Sequence, residues 1–318
     1  MILFGPIFSR RFGTSLGIDL SPYAKQCNFD CLYCELEGKK AMREMREIIP
    51  VEEILKELCH TPLQNIDVLT ITANGEPTLY PHLFELITEI KKQIPPHIQT
   101  LILSNGSRFG EPSVQKALLL FDKVKFSFDG GNEKIFSRID RPHKSLNLEE
   151  IAGGILEFSK IYKGELIAEI LFVKNINDGR ENLNSLVEFF GQIKLSRIDV
   201  GTIDRPPAYK STPLSLLELE EIARFLQHHL PNTPISIPKR ASAPLDPTAI
   251  PAEVTAPAAP KICAEQLYDL IKLRPLELSE ADAMLDFEAK AELKSLLKDQ
   301  KIFITEINSL CFYTIKQK

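Results

Sequence analysis

Short apolar runs alternate with helix-forming segments over the first two thirds of the chain. Each run ends in a polar or glycine-rich loop, a pattern typical of buried strands. The six predicted strands cover residues 16–20, 67–72, 100–103, 124–128, 165–173 and 198–200. This alternation favours a parallel sheet built from right-handed β-α units. The predicted fold class is α/β, a partial (β/α)6 TIM-like barrel whose active site lies at the carboxyl ends of the strands.

Helices are predicted between the early strands. Pro50 is expected to begin one over residues 51–59, and apolar periodicity predicts another over 84–93. Strong helix formers of mixed charge predict a further helix over 39–47, whose basic residues would lie on a solvated face.

The composition changes after residue 237. We predict a core domain over 1–237, a proline- and alanine-rich linker over 238–260 and a small domain over 261–318. The tail predicts three helices, one of them capped by Ser279, followed by a hairpin, which together suggest a winged-helix-like domain. Its nine Lys and Arg against ten Asp and Glu do not favour DNA binding. Contact with a protein or capping of the barrel is the expected role.

Three of the six cysteines, Cys27, Cys31 and Cys34, fall within eight residues directly after the first predicted strand. Thiolates are soft ligands that select zinc, copper(I) or the iron of iron-sulfur clusters. A zinc site takes four ligands, and no second cysteine pair follows. A four-iron cluster held by three cysteines leaves one iron open to a small molecule. A structural zinc site and a buried helical stripe at i, i+4, i+7 are the alternatives.

The net charge of −5 and the pI of about 5.8 give no general attraction to nucleic acid or to an anionic membrane. Arg10 and Arg11 interrupt the apolar N-terminal residues, so we expect neither a signal peptide nor a membrane span. A cytoplasmic location is therefore expected. In that reducing compartment cysteines serve as metal ligands more often than they form disulfides.

The spacing Cys27-x-x-x-Cys31-x-x-Cys34, with Tyr33 before the last cysteine, resembles the cluster loop of the radical S-adenosylmethionine (radical SAM) superfamily. The resemblance implies a [4Fe-4S] cluster on the three cysteines and SAM on the open iron. It further implies reductive cleavage of SAM to a 5'-deoxyadenosyl radical, with an electron donor such as flavodoxin or ferredoxin.

A second motif, Asn74-Gly75-Glu76-Pro77, resembles the glycine-glutamate-proline motif of the same superfamily. In that motif the backbone and the carboxylate receive the methionine amino group of SAM. Asn74 stands where a glycine is common, which leaves Glu76 and Pro77 in register. A glycine allows close backbone approach to a ligand, and a carboxylate pairs with an ammonium group.

The resemblance also implies further binding residues, although no catalytic residue is identified. Those expected to contact SAM are Tyr33, Ser104, Asn105, Ser127, Asp129 and Glu169, with Lys174 beyond the fifth strand. Those expected to bind an anionic part of the substrate or the SAM carboxylate are Arg10, Arg11 and Arg205. Arginine offers a planar cation suited to carboxylate or phosphate.

Residues 1 to about 237 look like one radical SAM group of poorly defined activity, often grouped with the wyosine-forming tRNA enzymes. The candidate substrates are a nucleotide or a tRNA base. The wyosine enzymes carry a second cluster on cysteines further upstream, and this chain has no cysteine before Cys27. Two alternatives from other classes are an iron-sulfur redox-sensing regulator with a winged-helix output domain and a zinc-stabilised binding module.

Overall fold

A computed structural model describes residues 1–9, 11–237, 264–273, 275–307 and 310–315. Arg10 and the predicted linker lie outside these residues. The first 237 residues form one eight-stranded sheet in sequence order. Its strands are β1 Leu3–Ser9, β2 Gly13–Asp19, β3 Val68–Thr72, β4 Gln99–Ser104, β5 Lys123–Ser127, β6 Glu165–Phe172, β7 Arg197–Thr202 and β8 Ile235–Ser236. The strands from β2 to β8 are parallel, and β1 joins β2 antiparallel. The predicted α/β class with a mostly parallel sheet is confirmed.

Helices connect consecutive parallel strands, as the alternation predicts. They are α1 Val51–Cys59, α2 Leu83–Gln93, α3 Pro112–Leu118, α4 Glu133–Ile139, α5 Leu148–Ile161, α6 Arg180–Phe190 and α7 Leu216–His229. The predicted helices over 51–59 and 84–93 correspond to α1 and α2. Between the sheet and these helices lies a buried apolar core, in which the ring of Phe109 lies 5.1 Å from that of Phe158 and 5.9 Å from that of Phe126.

Three features differ from the sequence prediction. Strand β1 and the two-residue strand β8 were not predicted. The helix predicted over 39–47 is wrong, because this segment is irregular. Its backbone N–H groups find distant partners instead: Met42 N donates to Cys27 O at 2.8 Å, and Arg46 N donates to Gln26 Oε1 at 2.7 Å. These tertiary hydrogen bonds override the local helix propensity.

Polar side chains are buried at intervals along several strands of the sheet. Thr70, Lys125 and Asp199 are all buried, and Ser15 Oγ lies 2.8 Å from Thr70 Oγ1. Buried polar groups require partners. Part of the sheet therefore faces a polar interior and not an apolar core.

The tail forms a second unit with an apolar cluster of its own. Its elements are α8 Ala264–Leu273, β9 Leu276–Glu277, α9 Leu278–Met284, α10 Phe287–Lys298, β10 Phe303–Ile307 and β11 Leu310–Thr314. The three strands form an antiparallel sheet in the order β10-β11-β9. The predicted cap at Ser279 is wrong, because α9 begins at Leu278 with Glu277 at its N-cap, two residues before the predicted cap. Across the described ranges, no helix combines the length and apolarity needed to cross a membrane.

Candidate active site

Three thiols meet at one cavity near the carboxyl ends of the parallel strands. Cys27, Cys31 and Cys34 lie in the loop after β2, and all three are free and half-buried. They line a cavity of about 240 Å³. The walls also include residues at the ends of β3 to β5 and within β6, among them Glu76, Ser104, Asn105, Ser127 and Glu169. Segments from distant parts of the sequence therefore surround the cysteines.

The cysteine loop is held by the segment that ends α4. Asp30 N donates to Asp140 O at 3.0 Å, and Leu32 N donates to Ile139 O at 2.8 Å. The Cys31 thiol donates to Asp140 Oδ1 at 3.5 Å. Because the loop is irregular, these contacts supply the partners that its backbone needs and fix the positions of the thiols.

Gly75 holds the cysteine loop from the other side. Gln26 N donates to Asn74 O at 2.8 Å, and Glu76 N donates to Gln26 O at 3.0 Å. Gly75 has a φ of 147°, and a Cβ at this position would lie 1.8 Å from Gln26 O. Only glycine allows the two backbones to approach this closely. The two motifs are therefore joined at the residue before Cys27.

The buried carboxylate of Glu76 accepts hydrogen bonds from residues that follow β3 and from residues at the end of β4. Oε1 accepts hydrogen bonds from Thr78 N at 2.9 Å and Ser104 Oγ at 2.7 Å, and Oε2 accepts one from Asn105 N at 2.6 Å. Burial raises the pKa of Glu76 above its ordinary value, while the hydrogen bonds from Thr78 and Asn105 oppose the rise. The side chain thus positions the loop after β4 against the cavity.

Asn105 continues this network to the cysteine loop. Its Nδ2 donates to Asn28 Oδ1 at 2.7 Å, and Asn28 Nδ2 donates to Ser107 Oγ at 2.7 Å. The Ser107 hydroxyl donates back to Asn105 Oδ1 at 2.6 Å. These hydrogen bonds fix the orientation of the Asn28 and Asn105 side-chain amides beside Cys27.

A buried acidic pair lies behind Tyr33. The Tyr33 hydroxyl donates to Asp129 Oδ2 at 2.5 Å, and Leu171 N donates to Asp129 Oδ1 at 2.6 Å. Burial raises the pKa of Asp129 to about 7, and burial together with the charge of Asp129 raises the pKa of Asp140. Tyr33 lines the cavity, whereas Asp129 stands behind it.

Sequence comparison agrees with this geometry. Residues 21–187 match the family model described as the Radical SAM superfamily, which is just over half of the chain. The chain belongs to the radical SAM superfamily. The predicted membership is therefore confirmed, and with it the expected cofactor class of the superfamily, SAM with a [4Fe-4S] cluster.

Two relatives and one solved structure illustrate the likeness of this radical SAM chain. A UPF0026 protein of Helicobacter pylori strain J99 is 45% identical over 98% of this chain and 97% of its own length. A Thermococcus kodakarensis protein named "Probable GTP 3',8-cyclase" is 28% identical over 71% of this chain and 66% of its own length. A radical SAM methyltransferase from Sphaerobacter thermophilus superposes with a TM-score of 0.54 at 12% identity, covering 70% of this chain and 66% of the methyltransferase. The last likeness shows the fold.

The donor set of this radical SAM enzyme fits an iron-sulfur cluster. Burial raises the pKa of Cys27 to about 12 and also raises the pKa of Cys34, where Lys25 opposes the rise. Burial alone would lower the pKa of Lys25, but Cys34 and Asp30 raise it above its ordinary value. The Lys25 ammonium therefore offsets the negative charge that the thiols acquire when they lose their protons to a metal.

A single metal ion fits less well. No group of three or more His, Cys, Asp or Glu side chains in the part of the chain that the structure describes is placed to hold one ion. In a four-iron cluster each cysteine binds a different iron atom, so the thiols need not converge on one point.

Two of the predicted anion-binding residues, Arg11 and Arg205, have partners within the described residues. Arg11 Nη1 lies 3.0 Å from Glu169 Oε1 and 3.1 Å from Asp199 Oδ2. Arg205 Nε lies 3.2 Å from Glu35 Oε2, and its Nη1 donates to the backbone carbonyl of Pro275 at 3.3 Å. Arg205 thus joins the cysteine loop to the tail.

Lys174, which was expected to contact SAM, instead pairs with Glu218 on the surface at 2.7 Å.

Several residues of the site were missed from sequence. Lys25 lies two residues before the first cysteine, and this cation so close to the thiols was a usable signal. Asn28 directly follows Cys27, so its place in the sequence was also a usable signal. Lys125 and Asp140 gave no such signal, because only the folded topology brings them to the cavity or to its walls.

Proposed function

We propose that Cys27, Cys31 and Cys34 hold a [4Fe-4S] cluster and that the enzyme cleaves SAM reductively. The observation that supports this most strongly is the arrangement of three free thiols on one cavity whose other walls come from four successive strands. A reduced cluster held by these three cysteines would supply the electron for cleavage of the sulfonium bond of SAM, with methionine and a hydrogen-abstracting 5'-deoxyadenosyl radical as the products.

The chain's own residues position the cofactor. The backbone beside Gly75, next to the cysteine loop, is suited to receive the methionine amino group, because carbonyl groups accept from ammonium. Ser104, Asn105 and Ser127 offer hydroxyl and amide groups along the cavity wall for the ribose. Asp129 acts indirectly, since it is held behind Tyr33 and fixes that ring. Glu169 contributes to the cavity wall from β6.

The substrate is a nucleotide or a nucleobase of tRNA. The Thermococcus kodakarensis relative, named "Probable GTP 3',8-cyclase", supports a nucleotide as the substrate of a member of this superfamily. The polar interior of the sheet is also suited to a hydrophilic substrate. A small reductant such as flavodoxin or ferredoxin would supply the electron in the cytoplasm. The comparisons lend no support to the alternative of a redox-sensing regulator.

The architecture proposed around this site is a partial barrel with a separate tail. Strands β2 to β7 correspond to the six predicted β-α units and would curve around the cavity. The tail contains the three predicted helices and the hairpin, with the short strand β9 between its first two helices, and we propose a winged-helix-like domain. The domain limits 1–237, 238–260 and 261–318 stay predictions.

The deciding experiment is anaerobic reconstitution with iron and sulfide, followed by dithionite and SAM. We expect 5'-deoxyadenosine from the wild type and none from Cys31→Ala. Cys59→Ala is the matched control, because Cys59 is an exposed free thiol on α1. A four-iron cluster that assembles in the wild type without binding or cleaving SAM would exclude the proposed activity. Zinc in place of iron would instead support the binding module.

A further inference from the structure

Five charged side chains form a group inside the sheet, here called the interior charge cluster. Its members are Arg11, Lys125, Glu169, Arg197 and Asp199. Lys125 Nζ lies 2.6 Å from Glu169 Oε1 and 3.2 Å from Asp199 Oδ2. Arg11 reaches the same two carboxylates, and Arg197 Nε lies 3.0 Å from Asp199 Oδ1. The cluster is therefore continuous from β5 to β7.

The charges of this cluster do not balance. It contains three cations and two carboxylates, and no other ion pair within the described residues joins it. The nearby pair Lys123 and Glu165 is balanced by itself. Although burial opposes ionisation, Lys125 and Arg11 hold the pKa of Glu169 below its ordinary value. Cations therefore outnumber carboxylates by one among these ion pairs.

Burial makes this excess charge significant. The side chains of Lys125 and Asp199 are 6% and 0% exposed, and those of Arg11 and Arg197 are 21% and 24% exposed. Arg197 Nη2 is buried and has no hydrogen-bond partner within the described residues. Asp199 Oδ2 also has no hydrogen-bond partner there, but it lies within ion-pair distance of Arg11 and Lys125. An uncompensated charge away from water is costly unless an anion or hydrogen bonds offset it. A bound oxyanion would supply both.

The cluster also lies at the right place for a substrate. Lys125 and Glu169 line the cavity, whereas Arg197 is the first residue of the six-residue strand β7. At a rise of about 3.3 Å per residue, the amino end of that strand lies about 16 Å from the carboxyl end. The cysteine loop stands at the carboxyl ends. The cluster therefore extends from the cavity wall, at Lys125 and Glu169, toward the amino end of β7, where Arg197 lies at the end of the strand away from the cysteine loop.

We infer that the interior charge cluster binds a phosphate or carboxylate group of a small substrate, deep in the sheet and away from the cysteines. This inference rests on the proposed function and narrows its substrate class. A planar guanidinium matches both phosphate and carboxylate. A free nucleotide can place its phosphate there, while its base or ribose faces the cavity where the radical forms.

Inorganic phosphate tests this site directly. The full-length reconstituted protein is heated in rising phosphate at constant ionic strength, with chloride as the balancing salt, and unfolding is followed by circular dichroism. Because a ligand that binds only the native state stabilises it, we expect the Tm of the wild type to rise with phosphate. Because the ionic strength is constant, a general change in the screening of surface charges does not contribute to the change in Tm.

The variants Arg197→Gln and Arg11→Gln each remove the excess charge and leave a balanced group. We expect each to weaken phosphate binding by roughly tenfold or more. Arg224→Gln on the exposed face of α7 is the matched control and should respond as the wild type does. Absence of a phosphate-specific rise in the wild type, or its persistence in both variants, would overturn the inference.

Repeating the phosphate titration at saturating SAM shows whether the anion site belongs to the substrate or to SAM. If the site belongs to the substrate, phosphate stabilises the SAM-bound wild type as well, and Arg197→Gln leaves the affinity for SAM unchanged. If SAM abolishes the phosphate effect, the site holds the SAM carboxylate and the assignment to a substrate fails. Formation of 5'-deoxyadenosine is measured separately, so that failure of the proposed function is not confused with failure of this site.

Discussion

Gly75 and Gln26 contact each other through their backbones, at a distance that leaves no room for a side chain at Gly75. A Cβ there would lie 1.8 Å from Gln26 O, and the φ of 147° is rarely adopted by other residues. Because Gln26 directly precedes Cys27, this contact fixes the start of the cysteine loop. The two sequence motifs thus form one structural unit.

Replacing Gly75 with alanine should disrupt this unit. We expect Gly75→Ala to lower the free energy of unfolding by at least about 2 kcal/mol and to reduce the iron bound after reconstitution. Urea unfolding and iron analysis measure the two effects. Gly153→Ala in α5 is the control, since no atom lies within 4 Å of a Cβ there, and should stabilise by about 0.5–1 kcal/mol. Equal behaviour of the two variants would contradict the packing argument.

The sequence predicted the features that depend on local pattern. Apolar runs located all six central strands, and the cysteine spacing located the loop that lines the cavity. Features set by distant contacts were not predictable. The segment over 39–47 has helix propensity but bonds to Cys27 and Gln26, and Arg11 meets Asp199 only after the sheet forms.

Asp129 should make stability depend on pH. Its pKa is raised by burial to about 7, above the ordinary value of 3.8, so the folded protein binds a proton that the unfolded chain has released. The stabilisation is complete below pH 4 and is lost as the pH rises to about 7. We expect cluster-free wild type to lose stability between pH 4.5 and 7.5 relative to Asp129→Asn, as measured by urea unfolding.

The variant Asp122→Asn is the control, because the contribution of Asp122 to stability should change with pH in the opposite direction. Although burial opposes the shift, hydrogen bonds from Thr100 and Lys91 lower the pKa of Asp122, so its contribution is present at neutral pH and is lost on acidification. If the wild type and Asp129→Asn gave parallel curves, the raised pKa of Asp129 would be excluded.

Asp30 should be more important for stability than any one of its partners. It is buried and lies 3.3 Å from Lys25 Nζ and 3.0 Å from Arg141 Nη2, and it accepts from the Tyr209 hydroxyl at 2.7 Å. Asp30→Ala leaves Lys25 buried without its carboxylate, which should cost about 3–5 kcal/mol. Tyr209→Phe removes one hydrogen bond and should cost about 1 kcal/mol. Chemical unfolding measures the stability of both variants. Similar losses of stability would contradict the central role of Asp30 among its partners.

Arg205 should act as a connection and not as a substrate ligand. Its guanidinium joins Glu35, next to Cys34, to the carbonyl of Pro275, the residue before β9. We expect Arg205→Ala to accelerate amide hydrogen exchange both in residues 34–36 and in β9, because the two segments lose a shared partner. Arg224→Ala on α7 should leave both unchanged.

A substrate role for Arg205 predicts a different result. Exchange in β9 would then remain as in the wild type, and the loss would appear as a higher KM once the substrate is known. The exchange experiment separates the two roles before any substrate is available. It therefore tests whether the contacts of Arg205 connect the C-terminal unit to the cysteine loop.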